Sequence, residues 1–221
     1  MFEAVVFDWD GTLGDTRRAI VASFQKALSE VNLKASDEYI ERRIGIGASD
    51  TFREILRSAE MTVDEAFVKR LVERKSELEI EFADQVKLFP GALELLNMLQ
   101  GKIRMGLASM NNRRVILHLL RRNDLEKYFA VILTAESISR SKPNPEIFLK
   151  TAVALNANPE KCVVAEDSIF GVKAAESAGM ACVAVTTGVY SKQELAKEKP
   201  DLIVESLADK RIVPFILGDV L

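Results

Sequence analysis

Short apolar runs alternate with stretches of helical periodicity over most of this chain. The runs Ala4–Phe7, Ile103–Ala108, Val131–Leu133, Cys162–Ala165, Ala181–Val185 and Leu202–Val204 lack the in–out alternation of a half-exposed strand. They predict strands buried on both faces. Between them, Leu93, Leu96 and Leu99 form one helical face, and Val115, Ile116, Leu119 and Leu120 the next. Pro145 suits the first turn of a helix whose inward residues are Phe148, Leu149, Ala152 and Val153. Ala174, Ala175 and Ala178 mark a further helix, stopped by Gly179. Strand and helix in strict alternation predict an α/β fold with a doubly wound, mostly parallel sheet.

One interval breaks the rhythm. From Leu13 to about Phe89 the pattern contains no convincing strand, only amphipathic helix. Ile20, Phe24, Leu28 and Val31 form one stripe, and Phe52, Ile55, Leu56 and Ala59 a second. Thr62 and Glu65 have capping-box spacing, and Leu71, Lys75, Leu78 and Phe82 follow at helical intervals. A parallel crossover needs far less chain than this. The division expected is a core of residues 1–14 and 86–221 with an inserted helical domain at 15–85. The charge-rich stretch Lys69–Glu81 is expected on the outer surface of that insert.

Composition narrows the class. With 221 residues, 48% hydrophobic and 29% charged, the chain suits one large domain or one with a smaller insert. A net charge of −3 gives no broad surface for nucleic acid. No apolar run approaches the roughly 18 residues of a membrane span, and no basic-then-apolar leader opens the sequence. Cys162 and Cys182 lie in apolar runs without metal or redox spacing, so they are read as buried hydrophobes. A cytoplasmic protein is expected, a monomer or weak dimer with no nucleic-acid or membrane partner.

Chemistry gathers where the runs end. Asp8 and Asp10 close the first, followed by Gly11-Thr12; Ser109 closes the second; Glu166-Asp167 close the fourth. Lys142 stands in Ser141-Lys142-Pro143, held extended by the proline. In an open α/β sheet these strand tips converge. Two carboxylates about 4 Å apart repel by roughly 4 kcal/mol at an effective dielectric near 20, so such a cluster calls for a cation. Its ligands are all oxygen, with neither His nor Cys, which favours a hard octahedral ion such as Mg²⁺. With a lysine and a hydroxyl added, an anion can dock there. Phosphate fits best, and a carboxylate can attack phosphorus to form an aspartyl-phosphate.

These residues resemble the haloacid dehalogenase superfamily, in its phosphatase branch with an α-helical cap inserted after the first strand. Asp8-Trp9-Asp10-Gly11-Thr12-Leu13 is similar to the first family motif, Ser109 to the second, Lys142 to the third and Glu166-Asp167 to the fourth. The resemblance implies a Rossmann-like core. It casts Asp8 as the nucleophile and Asp10 as acid to the leaving oxygen, then base for water. Ser109 and Lys142 would hold the phosphoryl oxygens together with Met110 and Asn111. Mg²⁺ would lie on Asp8, the Asp10 main-chain carbonyl and Asp167, with Glu166 a ligand or a support. The substrate implied is a small phosphoester.

Departures from the motifs sort the branches. Dehalogenating relatives lack the acid that Asp10 supplies. β-Phosphoglucomutase-like relatives carry a histidine where this chain has Ile20, and a Lys-Gly pair where it reads Arg43-Ile44-Gly45-Ile46-Gly47. That glycine-rich loop resembles the cap of phosphoglycolate-phosphatase-like enzymes, which places Arg43, Gly45 and Gly47 at the substrate. The expectation is therefore a Mg²⁺-dependent phosphatase of phosphoglycolate-like or sugar phosphates. The alternatives are a phosphomutase or a non-catalytic phosphate-binding regulator. His118, amid leucines, is read as a helix-face residue, and Trp9 as packing or a gate beside the site.

Overall fold

In the computed structural model, which describes residues 1–218, each of the six apolar runs forms a strand. The elements are β1 (Ala4–Phe7), β2 (Gly14–Asp15), α1 (Arg17–Ser29), α2 (Asp37–Glu41), α3 (Ala48–Ser58) and α4 (Glu65–Glu81). Then come β3 (Lys87–Leu88), α5 (Ala92–Leu99), β4 (Arg104–Ala108), α6 (Arg113–Arg122), β5 (Val131–Leu133) and α7 (Glu146–Ala154). The chain continues through β6 (Cys162–Glu166), α8 (Ile169–Ser177), β7 (Ala181–Val185), α9 (Lys192–Lys197), β8 (Leu202–Val204) and α10 (Ile212–Leu217).

Six strands form one parallel sheet in the order β5-β4-β1-β6-β7-β8. The chain winds outward from β1 in one direction, then restarts on β1's other side at β6. The strand order therefore reverses between β1 and β6, and a crevice opens beyond their carboxyl ends. Val5, Phe7, Met105, Leu107, Val163 and Ala165 join one core with the buried residues of α5, α6 and α10. Ala4, Val6, Ala108, Cys162, Val164 and Ala184 face a second core with α7, α8 and α9. Both faces are covered, which is why these strands read as unbroken apolar runs. Both cysteines are buried and free.

Helices α1–α4 pack round a third core built on Phe24, Leu28, Ile40, Phe52, Leu56 and Leu78. The interval read as purely helical also contains two strands. β2 and β3 pair antiparallel, Gly14 with Leu88 and Asp15 with Lys87, where the chain leaves and rejoins the sheet. Two residues are too few to show a period, so the pattern cannot reveal them.

Several helical faces differ from expectation. Asp64, not Thr62, caps α4, its side chain accepting from the Ala66 amide at 3.0 Å. Leu93 and Val153 are exposed; α5 buries Ala92, Leu95, Leu96 and Leu99, and α7 buries Ile147, Phe148, Thr151 and Ala152. Part of each expected face is buried, Leu96 and Leu99 in α5 and Phe148 and Ala152 in α7, and the buried arc extends from there to the other side of the stripe, away from Leu93 and Val153. Among the described residues no helix is long and apolar enough to cross a membrane.

Candidate active site

The Asp8 amide donates to the Ala165 carbonyl at 3.0 Å, extending the β1–β6 ladder by one rung. Its carboxylate is thereby fixed at the switch point, beside the end of β6. The chain then turns tightly: the Trp9 carbonyl accepts from the amides of Thr12, Leu13 and Gly14 at 3.3, 3.1 and 3.0 Å. Trp9 is fully buried in the core beneath, so it packs and does not gate.

Lys142 reaches this point from the loop between β5 and α7. Its Nζ donates to Asp8 Oδ1 at 2.7 Å and to Glu166 Oε1, and it lies 4.9 Å from the centroid of the Phe148 ring. Only 2% of Lys142 is exposed, a burial that an ammonium tolerates only when paired. Glu166 Oε2 accepts from the Asp167 amide, the Ser168 amide and Ser168 Oγ, each at 3.0 Å. All its acceptor capacity faces inward, so Glu166 holds Lys142 and the turn that carries Asp167.

Asp8, Glu166 and Asp167 offer carboxylate oxygens that all lie within 4.8 Å of one another. Burial pushes the Asp8 carboxyl well above the usual carboxylate range, with Lys142 opposing. Burial also raises Asp167, assisted by the charges of Glu166 and Asp8. Fully ionised, as a bound cation would make them, three carboxylates against one ammonium carry two negative charges that the protein itself does not compensate. Asp167 accepts from Thr12 Oγ1 at 3.2 Å, and a Cβ on Gly188 would sit 1.8 Å from Asp167 Oδ2. The pocket is thus kept open round an oxygen-only donor set with an unmet charge of two, which fits a hard divalent ion.

The Asp10 carboxylate is not part of that cluster. The turn after Trp9 sends it the other way, where it accepts from Ser109 Oγ at 3.2 Å and Asn111 Nδ2 at 3.3 Å. The turn thus parts the carboxylates of Asp8 and Asp10. Ser109 sits at the tip of β4, its amide bonded to the Leu133 carbonyl at 3.1 Å and its Oγ accepting from the Asn111 amide at 3.0 Å. Burial, then the nearby charge of Glu79, pushes Asp10 up to about 6.

Lys69, Arg70, Glu73, Glu77 and Glu81 lie on an outer surface as expected, but Lys75 and Glu79 depart from that expectation. Lys75 is 3% exposed and Glu79 not at all. Lys75 Nζ donates to Glu79 Oε2 and, at 3.3 Å, to Asn111 Oδ1; Asn111 Nδ2 donates to Glu79 Oε1 at 2.8 Å. A chain of polar contacts thus runs from α4 through Asn111 to Asp10. The one trace of it in the sequence is the register of Lys75 with Leu71 and Leu78.

The loop joining α2 to α3 lies over the same site. A Cβ on Gly45 would come within 2.9 Å of Ser168 Oγ, and one on Gly47 within 3.1 Å of the Met110 Cε, so both glycines allow close seating on the sheet's loops. Arg42 pairs with Glu194 at 2.6 Å and lies 4.2 Å from the Tyr190 ring centroid, while the Tyr190 hydroxyl donates to the Arg42 carbonyl at 2.6 Å. Arg43 is engaged by Glu54 and by the Tyr39 carbonyl, with its guanidinium 3.4 Å from the Tyr39 ring centroid. A narrow chamber of about 30 Å³ remains between insert and sheet, bounded by Asp10, Ile20, Phe24, Arg43, Lys75, Met110 and Asn111. His118 is exposed on α6, away from these groups.

A doubly wound parallel sheet that gathers three buried carboxylates and a buried lysine at its switch point, with four helices inserted after its first strand, is the architecture the motifs resemble. The chain belongs to the haloacid dehalogenase-like hydrolases, whose family model matches residues 5–185. A Thermotoga maritima protein named phosphorylated carbohydrates phosphatase is 36% identical over 180 residues, covering 80% of this chain and 82% of that one. A pyrophosphatase PpaX of Oceanobacillus iheyensis is 30% identical over 217 residues, covering 97% and 96%. The crystal structure of a β-phosphoglucomutase from Clostridium difficile superposes with a TM-score of 0.86 at 27% identity, covering 98% and 97%.

Proposed function

We propose that this protein is a Mg²⁺-dependent phosphatase of small phosphorylated metabolites, acting through an aspartyl-phosphate at Asp8. The observation that carries this reading is the buried Asp8 carboxylate, 2.7 Å from Lys142 Nζ and clustered with Glu166 and Asp167. Asp8, Asp167 and the main-chain carbonyl of Asp10 would hold the ion, which supplies positive charge to the phosphoryl oxygens.

Asp8 attacks phosphorus, forming an acyl-phosphate bond as the bond to the leaving oxygen breaks. Asp10 gives that oxygen its proton. It then takes a proton from the water that attacks phosphorus, releasing phosphate and restoring Asp8. An acid near 6 is suited to both duties at neutral pH. Lys142 opposes the burial that favours a neutral Asp8 and, with Ser109 and the main chain of Met110 and Asn111, receives the phosphoryl oxygens. Glu166 positions Lys142. Arg43, Gly45 and Gly47 form the part of the insert nearest the substrate, and the insert, taken as a cap over residues 15–85, excludes bulk water.

Ile20 supports hydrolysis over a mutase reaction. It lines the chamber near Asp10 and carries no group that could share a proton. Asp8→Asn is expected to keep the fold, by circular dichroism, while Mg²⁺-dependent phosphate release falls by at least about 10³-fold. Chelation of the wild type by EDTA should have the same effect, reversed by added Mg²⁺. Appreciable turnover by the Asn variant would remove the nucleophile assignment.

A further inference from the structure

Every cation on the chamber wall is already neutralised within the protein. Lys75 borders the chamber but its Nζ is paired with Glu79, and Arg43 is paired with Glu54 and stacked on Tyr39. The nearest acid, Asp10, sits at the chamber's inner end, and the remaining wall is apolar through Ile20, Phe24 and Ile40. A carboxylate entering here would meet no free positive charge and would lose its hydration, which is strongly unfavourable. Hydroxyls are a different case: they bring no charge to be stranded, and the Lys75 N–H not spent on Glu79 or Asn111 is left to donate to them.

We infer that Glu79 is the specificity-determining residue, and that by cancelling Lys75 it selects phosphoesters whose leaving group is an uncharged polyol or sugar over those bearing a carboxylate. This rests on the phosphatase reading and reverses the preference that the glycine-rich loop implied, for phosphoglycolate. Glu79 acts through charge at a distance from the reacting atoms, since its own contacts are with Lys75 and Asn111. It was invisible to the family motifs because it lies on none of them.

The test compares glycerol 3-phosphate with 3-phosphoglycerate, which share size and differ by a hydroxymethyl against a carboxylate. In the wild type, kcat/KM for glycerol 3-phosphate is expected to exceed that for 3-phosphoglycerate by about tenfold or more. Glu79→Gln, which keeps the shape and frees the charge of Lys75, should shift the ratio toward 3-phosphoglycerate by about tenfold. Lys75→Met, which leaves Glu79 uncompensated, should move it the opposite way. A purely structural role for the pair would lower both activities together and leave the ratio unmoved.

A wild-type preference for 3-phosphoglycerate overturns the inference, as does an unchanged ratio in a folded Glu79→Gln protein; neither touches the phosphatase reading. Should neither variant fold, the wild-type ratio alone decides. Absence of Mg²⁺-dependent hydrolysis of every ester, p-nitrophenyl phosphate included, removes that reading and this inference with it.

Discussion

Glu146 anchors the start of the loop that carries Lys142. Its carboxylate accepts from the Ser139 amide at 3.0 Å, from Ser139 Oγ at 2.8 Å and from the Arg140 amide at 3.0 Å, and it pairs with Lys150 at 2.7 Å. Lys150 and Ser139, in that order, hold its pKa down to about 2 from an ordinary 4.5. A depressed carboxyl stabilises the fold fully above its unfolded value and loses that contribution as pH falls from 4.5 toward 2. Glu146→Gln should therefore be less stable than the wild type at pH 7, with the gap closing below pH 4.5, read from denaturant midpoints across pH. At neutral pH it should also lower kcat, because the loop that presents Lys142 loses its anchor. At this scale the sequence was most readable where chemistry abuts an apolar run, as with Asp8, Ser109 and Glu166-Asp167. Lys75 and Glu79 were misread because charges on a helix normally face water, and only tertiary packing turns this pair inward.

Helix α8 begins one residue after the acid pair and carries a glycine where a helix would favour alanine by about 1 kcal/mol. The reason lies across the turn. A Cβ on Gly171 would sit 1.8 Å from the Glu166 Cδ, a separation no side-chain adjustment short of moving Glu166 can relieve. Gly171→Ala is accordingly expected to displace Glu166, release Lys142 and lower kcat by about tenfold or more, although helix propensity alone argues for a more stable protein. Measuring kcat and melting temperature together separates the two effects. Strands β1, β4, β5, β6, β7 and β8 were legible because burial on both faces leaves an unmistakable apolar signature. The faces of α5 and α7 were less so: Leu96, Leu99, Phe148 and Ala152 are buried as the pattern implies, while Leu93 and Val153 turn to solvent and Leu95 and Thr151 are buried instead.

Over the whole molecule, hydrophobic burial divides into the two layers flanking the sheet and the separate core of α1–α4. Phe52 is central to the last, fully buried with its ring centroid 4.7 Å from that of Phe24. Phe52→Ala removes enough contact to cost about 3–5 kcal/mol. If residues 15–85 behave as a unit, the loss falls on that unit. Amide exchange should accelerate throughout α1–α4 while the amides of β1 and β6 stay protected; equal acceleration in both would show one indivisible core. The overall plan was readable from periodicity and from the length of the interruption after β1.

The two-rung ladder of β2 and β3 has a further consequence. It clasps departing and returning chain side by side, Gly14 against Leu88, so whatever is threaded between them is held at a single narrow neck. Closing a tether of that kind costs only about 0.6 kcal/mol for each doubling of its length. Asp8, Lys142, Glu166 and Asp167 all belong to segments below the neck. Those four groups draw on nothing above the neck, whereas Asp10 is linked through Asn111 to Glu79 on α4, so a different headpiece spliced at Asp15 and Lys87 would inherit the anchored nucleophile and have to supply its own setting for the acid.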